Sequence, residues 1–158
     1  MVGDERVDVH EASWEEVEEI TRSIRIIDVI EGYLQTGNPL YETLKTTYDL
    51  SPRVWVGYYD DELVNVFGVA VFNLFGGEGH PWMLATNKID DCPIHFLRES
   101  CYYLNEMKQG FSRLHNYVYA DHKASIGWLK WLGFKMHPAK PYGPFGANFH
   151  YFEWEEES

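Results

Sequence analysis

The stretch LHNYVYADHKASIGWLKWLGF, residues 114–134, decides the fold, because it reads as a strand, a polar turn and an amphipathic helix closed by a glycine. Tyr117, Val118 and Tyr119 are aromatic or β-branched and favour a strand from Leu114 to Ala120, which Asp121, His122 and Lys123 break with turn and helix-capping chemistry. From Ser125 the apolar residues Ile126, Trp128, Leu129, Trp131 and Leu132 recur at helical spacing, and Gly133 offers a left-handed helix stop. A further strand should begin at Phe134, followed by a Pro- and Gly-rich connection from Pro138 to Gly146 and a last strand through Phe149, Tyr151 and Phe152.

Toward the N-terminus, Asp91 and Cys92 stand just before Pro93, a good first-turn residue. A helix of about four turns should follow through Phe96, Leu97, Tyr103, Leu104 and Met107 and stop at Gly110. Before it lies a strand from Trp82 to Thr86, preceded by a flexible loop holding Gly76, Gly77 and Gly79. Val54, Val56 and Tyr58 alternate as a strand up to a turn at Asp60, Asp61 and Glu62, and the return strand from Leu63 to Phe72 is apolar on both faces, as a central strand covered by helices should be. Arg6 to His10 suggests a first strand. Ser13 with Glu16 forms a capping box for a helix facing inward through Trp14, Val17, Ile20 and Ile24. A helical stretch around Asp28 to Gln35 ends at Gly37, and Asn38 with Pro39 offers a cap and first-turn proline for another helix to about Tyr48. The expected fold is a single mixed α/β domain over residues 1–158, with a central sheet of about six or seven strands flanked by helices and a short acidic tail from about residue 155.

Composition narrows the function. The chain has 158 residues, one domain's worth, with 45% apolar and 16% aromatic residues, which excludes general disorder. Its longest uncharged apolar run, residues 66–72, is far too short to cross a bilayer, so a soluble protein without a membrane span or targeting peptide is expected. The net charge of -12 repels phosphate backbones and argues against nucleic acid as partner. Cys92 and Cys101, placed on one helix, stand too far apart for a disulfide and should be free thiols. Cys92 has a helix start beside it, but Asp90 and Asp91 oppose a thiolate. The seven histidines show no pair at helical spacing and neither cysteine has a partner at zinc-finger spacing, so no metal site is expected. The neighbouring pair Trp128 and Trp131 reads as packing against one edge of the sheet.

The element order, with SIGWLKWLGF before the penultimate strand, resembles the GNAT superfamily of N-acetyltransferases. The segments PWMLATNKI, Phe96-Leu97-Arg98, NYVYA and WLKWLGF look like GNAT-like proteins of tailed phages, some of them internal virion proteins, and the resemblance covers roughly Trp55 to Phe152. It implies a GNAT-like fold whose fourth and fifth strands splay apart around acetyl-CoA, with Met83, Leu84, Ala85, Thr86, Asn87 and Lys88 as coenzyme-binding residues. The family's glycine-rich pyrophosphate loop is replaced here by TNKIDDCP, where Asp90 and Asp91 oppose phosphate and Lys88 offsets one of them. The usual tyrosine acid falls at Leu129, which has no proton to give, and the usual asparagine falls at His122. His122 is therefore the candidate catalytic base or acid, its alternative reading being an exposed turn residue that caps the helix with Asp121.

Two functions follow from the resemblance. One is an acetyl-CoA-dependent N-acetyltransferase acting on a small-molecule or protein amine. The other is a non-catalytic scaffold that binds a phage or host protein, in the host cytoplasm or the phage virion.

Overall fold

The computed structural model describes residues 6–157. Its elements are β1 (Val7–Glu11), α1 (Trp14–Glu19), a 3-10 turn (Ile20–Arg22), α2 (Ile26–Thr36), α3 (Leu40–Asp49), β2 (Arg53–Tyr59), β3 (Glu62–Ala70), β4 (Glu78–Ala85), a second 3-10 turn (Asn87–Asp91), α4 (Ile94–Lys108), β5 (Arg113–Tyr119), α5 (Lys123–Trp131), β6 (Lys135–Met136), β7 (Lys140–Tyr142) and β8 (Ala147–Glu155). The eight strands form one sheet in the order β1-β2-β3-β4-β5-β8-β6, with β7 also paired to β8.

The strand, turn and helix of residues 114–134 fold as the sequence indicates. β5 runs beside β8 from Arg113 opposite Glu155 to Tyr119 opposite Phe149, and α5 ends before Gly133 at φ 95°. The capping box also forms, with Glu16 N–H donating to Ser13 Oγ and Ser13 N–H to Glu16 Oε1. Asp60 and Asp61, at φ 52° and 62°, make the tight turn joining β2 to β3. β3 is buried on both faces. Val69 belongs to a core with Trp55, Leu104, Met107, Leu114 and Phe152 under α4 and α5, whereas Val66 belongs to another with Val17, Ile20, Leu44 and Val56 under α1 and α3.

Several boundaries differ from the sequence reading for local reasons. β3 ends at Ala70, leaving Phe72 64% exposed. The glycine cluster does not lie wholly in a loop, because β4 begins at Glu78 and includes Gly79. A side chain there is excluded: a Cβ on Gly79 would stand 2.6 Å from Val69 Cγ2 and 3.1 Å from Leu114 Cδ2, so glycine lets β3, β4 and β5 crowd together. Pro39, extended at ψ 149°, itself precedes the first turn of α3 and displaces Asn38 from that place. The helix after Ser13 stops at Glu19, and Ile24 instead bridges to Thr86. Cys92 precedes α4 instead of sharing it with Cys101; both are free thiols.

Candidate functional site

The site follows from how β4 and β5 separate. They pair in parallel only at Glu78 with Arg113 and at Gly79 with Leu114, then diverge. Which backbone groups of β4 face the opening is fixed by the alternation of the antiparallel ladder with β3. Thr86 N–H donates to Val64 C=O, so Leu84 and Trp82 also bond to β3, whereas Ala85 and Met83 turn their N–H and C=O, and Pro81 its C=O, toward the gap.

Side chains then occupy the gap at two levels. At its narrow end Asn116 Nδ2 donates to Pro81 C=O across 3.0 Å. At its wide end α2 braces both strands: Ala85 N–H donates to Asp28 Oδ2 at 2.9 Å, Arg25 N–H donates to Ala85 C=O at 2.8 Å, and Tyr119 N–H of β5 donates to Glu31 Oε2 at 2.9 Å. Between these levels the gap-facing N–H and C=O of Met83 have no protein partner among the described residues. A cavity of about 530 Å³ passes through the sheet here, lined by Leu104, Met107, Trp128 and Leu129 on the side of α4 and α5, and by Glu31, Gln35, Thr43 and Tyr142 on the opposite side.

His122 is 1% exposed, so it is not the exposed turn residue of the alternative sequence reading. It does cap α5: Ser125 N–H donates to its Nδ1. Its Nε2 stands 2.7 Å from Asp28 Oδ1, and because a carboxylate oxygen only accepts, His122 is the donor to Asp28. Asp28, 2% exposed, also receives two hydrogen bonds from the Arg25 guanidinium. Burial raises the Asp28 carboxyl, but the bonds from His122 and Arg25 outweigh it and hold this carboxyl below its ordinary value.

Glu31 lacks such partners. Burial pushes its carboxyl from 4.5 up to about 6, against the weaker pull of the nearby His122 and the Tyr119 amide. A carboxylate of that basicity facing a cavity suits proton abstraction near neutral pH. Ligand atoms of Asp28, Glu31 and His122 lie within 4.8 Å of one another, near enough for a metal ion to bridge. Arg25 already supplies the positive charge at Asp28, and a metal ion would be repelled by it.

The residues singled out from the sequence separate here. Of Met83, Leu84, Ala85, Thr86, Asn87 and Lys88, Met83 alone offers unoccupied gap-facing backbone groups. Leu84 is bonded into the ladder, and the gap-facing groups of Ala85 are held by Arg25 and Asp28. Thr86 Oγ1 takes the N–H of Lys88 and donates to Leu63 C=O, while the second 3-10 turn, opening at Asn87, satisfies Ile89 and Cys92 internally. Lys88 Nζ lies 3.4 Å from Glu62, on the hairpin of β2 and β3. Leu129 lines the cavity with hydrocarbon, and Trp128 lines it too instead of serving only to pack the sheet. Sequence reasoning missed Glu31, although Asp28 and Glu31 at i, i+3 on an otherwise apolar helix start were the signal.

No protein-family model matches the chain, and no curated protein matches it in sequence. Solved structures do match over nearly the full length. A ribosomal-protein-S5-alanine acetyltransferase from Vibrio fischeri is 11% identical with a TM-score of 0.68, over 97% of this chain and 94% of its own. Spermidine N-acetyltransferase from Vibrio cholerae, solved with CoA and spermine, is 8% identical with a TM-score of 0.67, over 96% of both chains. A GNAT-family acetyltransferase from Streptococcus pneumoniae is 11% identical with a TM-score of 0.66, over 96% of this chain and 99% of its own. The chain therefore has the GNAT acetyltransferase fold. The likeness is one of fold.

Proposed function

We propose that the protein transfers an acyl group from acetyl-CoA to an amine, and the observation that carries this is the cavity through the splayed strands at Met83. Its apolar walls and the free N–H and C=O of Met83 fit the acylated pantetheine arm, an extended chain with amides. The 3-10 turn after β4 does not fit the phosphates by the usual route, because the amides of Lys88, Ile89 and Cys92 are taken internally and Asp90 and Asp91 repel anions. When bound, the coenzyme supplies an activated acyl thioester.

The chain's own residues supply the rest. Glu31 accepts a proton from the incoming ammonium, leaving the neutral amine as nucleophile. His122 and Arg25 hold Asp28 against Ala85 and keep the wide end of the gap at fixed width, so His122 is a positioning residue in this reading and Glu31 the base. Leu104, Met107 and Leu129 make the wall on the side of α4 and α5 apolar.

The test is release of free CoA from acetyl-CoA in the presence of a panel of primary amines, comparing the wild type with Glu31→Gln. Amine-dependent release that falls by at least about a hundredfold in the variant supports the assignment. Equal release by both removes Glu31 from the reaction.

A second reading draws on the bracing of the wide end by Asp28 and Glu31 and on the unsuited phosphate turn: a non-catalytic scaffold engaging a phage or host protein. It predicts no CoA release with any amine, and recovery of the protein in purified phage particles.

A further inference from the structure

Resting on the transferase reading, we propose that the acceptor is a small aromatic amine without an acidic group, bound with its ammonium at Glu31 and its ring among the aromatic side chains of the α2 and α3 side. Charge carries the first half of this assignment. Asp28 and Glu31 are the only Asp, Glu, Lys or Arg residues lining the cavity among the described residues, and Asp28 is already neutralised by Arg25. His80 and His115 also line the cavity; burial lowers both below their ordinary value, so neither adds positive charge at neutral pH. An ammonium finds a partner there and a carboxylate or phosphate on the acceptor finds none.

Shape carries the second half. Tyr117 and Tyr142, both lining the cavity, stack on each other at 3.8 Å between centroids and 13° between planes. Phe72 and His80, which also line the cavity, meet at 4.6 Å with their planes tilted by 42°. Aromatic side chains in a cavity lining take a further ring by stacked or edge-on contact and hold a cation near a ring face. Gln35, whose Nε2 donates to Asn116 Oδ1 at 3.4 Å, and Thr43 add polar groups to the lining for a ring substituent such as a phenol hydroxyl.

The experiment is calorimetric titration of the intact protein with tyramine, tyrosine and n-propylamine at pH 7.5, with a parallel titration of acetyl-CoA. Tyramine should bind. Tyrosine, the same skeleton plus a carboxylate, should bind at least about tenfold more weakly, because its added charge is desolvated without a partner. Propylamine, which has the charge without the ring, should also bind at least about tenfold more weakly. Glu31→Gln should weaken tyramine by a similar factor, and circular dichroism of the variant verifies that it is folded. Tyrosine or propylamine binding as tightly as tyramine overturns the proposal, as does absence of tyramine binding. The acetyl-CoA titration separates the two ideas: tyramine binding without acetyl-CoA binding upholds the amine site and sinks the transferase reading, whereas the reverse upholds the coenzyme site and sinks the acceptor.

Discussion

Replacing Glu31 by glutamine should make the protein more stable at neutral pH. In the folded state burial raises this carboxyl from 4.5 to about 6, so the folded protein binds the proton more tightly than the unfolded chain does. Stability is then full below about pH 4.5 and is lost as pH rises toward about 6, where the carboxylate forms in an environment that solvates it poorly. A rise of that size is worth about 2 kcal/mol. Glutamine removes the charge and keeps a carbonyl oxygen to accept the Tyr119 amide, so the variant should recover most of that amount above pH 6.5. For a chain of this size the gain corresponds to a melting temperature about 4–8 °C higher. Thermal unfolding of both proteins by circular dichroism between pH 4 and pH 8 reads it directly. The curves should meet near pH 4, where both side chains are neutral, and part progressively up to about pH 6.5. A variant less stable than wild type at pH 7.5 would mean that Glu31 is held by a favourable charge pair, and would refute the reasoning.

Three other perturbations probe the same frame. Met83→Pro deletes one gap-facing N–H without touching the ladder to β3, at a place where Pro81 already occupies the equivalent orientation; the melting temperature should fall by no more than about 5 °C, and stabilisation by acetyl-CoA should disappear. Asp28→Asn strips the buried Arg25 of its carboxylate and should cost about 3–5 kcal/mol by urea unfolding at pH 7. Because the Asp28 carboxyl sits below its ordinary 3.8 in the folded state, its contribution is present above that pH and fades as pH falls through the lowered folded value, so the deficit of the variant should shrink on acidification. Partial burial pushes the Cys92 thiol up to about 11, and a Cys101→Ser variant should therefore react only slowly with a thiol-specific disulfide reagent at pH 8; rapid labelling contradicts this raised value.

The fold was legible in the sequence where a local rule acts alone. Ser13 with Glu16, the Asp60-Asp61 turn, Gly133 and the two-faced apolar pattern of β3 all report on neighbours a few residues away, and each was found in its place. The start of β4 was misread because glycine in a strand looks like a loop until the crowding of Val69 and Leu114 around Gly79 is known. The site was less legible for the same reason. His122 stood out by its position after β5, but its burial depends on Asp28, which is 94 residues away. Glu31 carries no motif. It matters because α2 crosses the wide end of the gap and leaves one carboxylate with the Arg25 pair and the other with a backbone amide.

The most direct measurement is thermal unfolding of the wild-type protein with increasing acetyl-CoA. If the cavity at Met83 takes the acylated arm, coenzyme at a hundred times its dissociation constant should add about 2.7 kcal/mol and raise the melting temperature by about 5–11 °C, with saturation. No shift up to millimolar acetyl-CoA would contradict the account, leaving a GNAT scaffold whose gap is braced for something other than coenzyme.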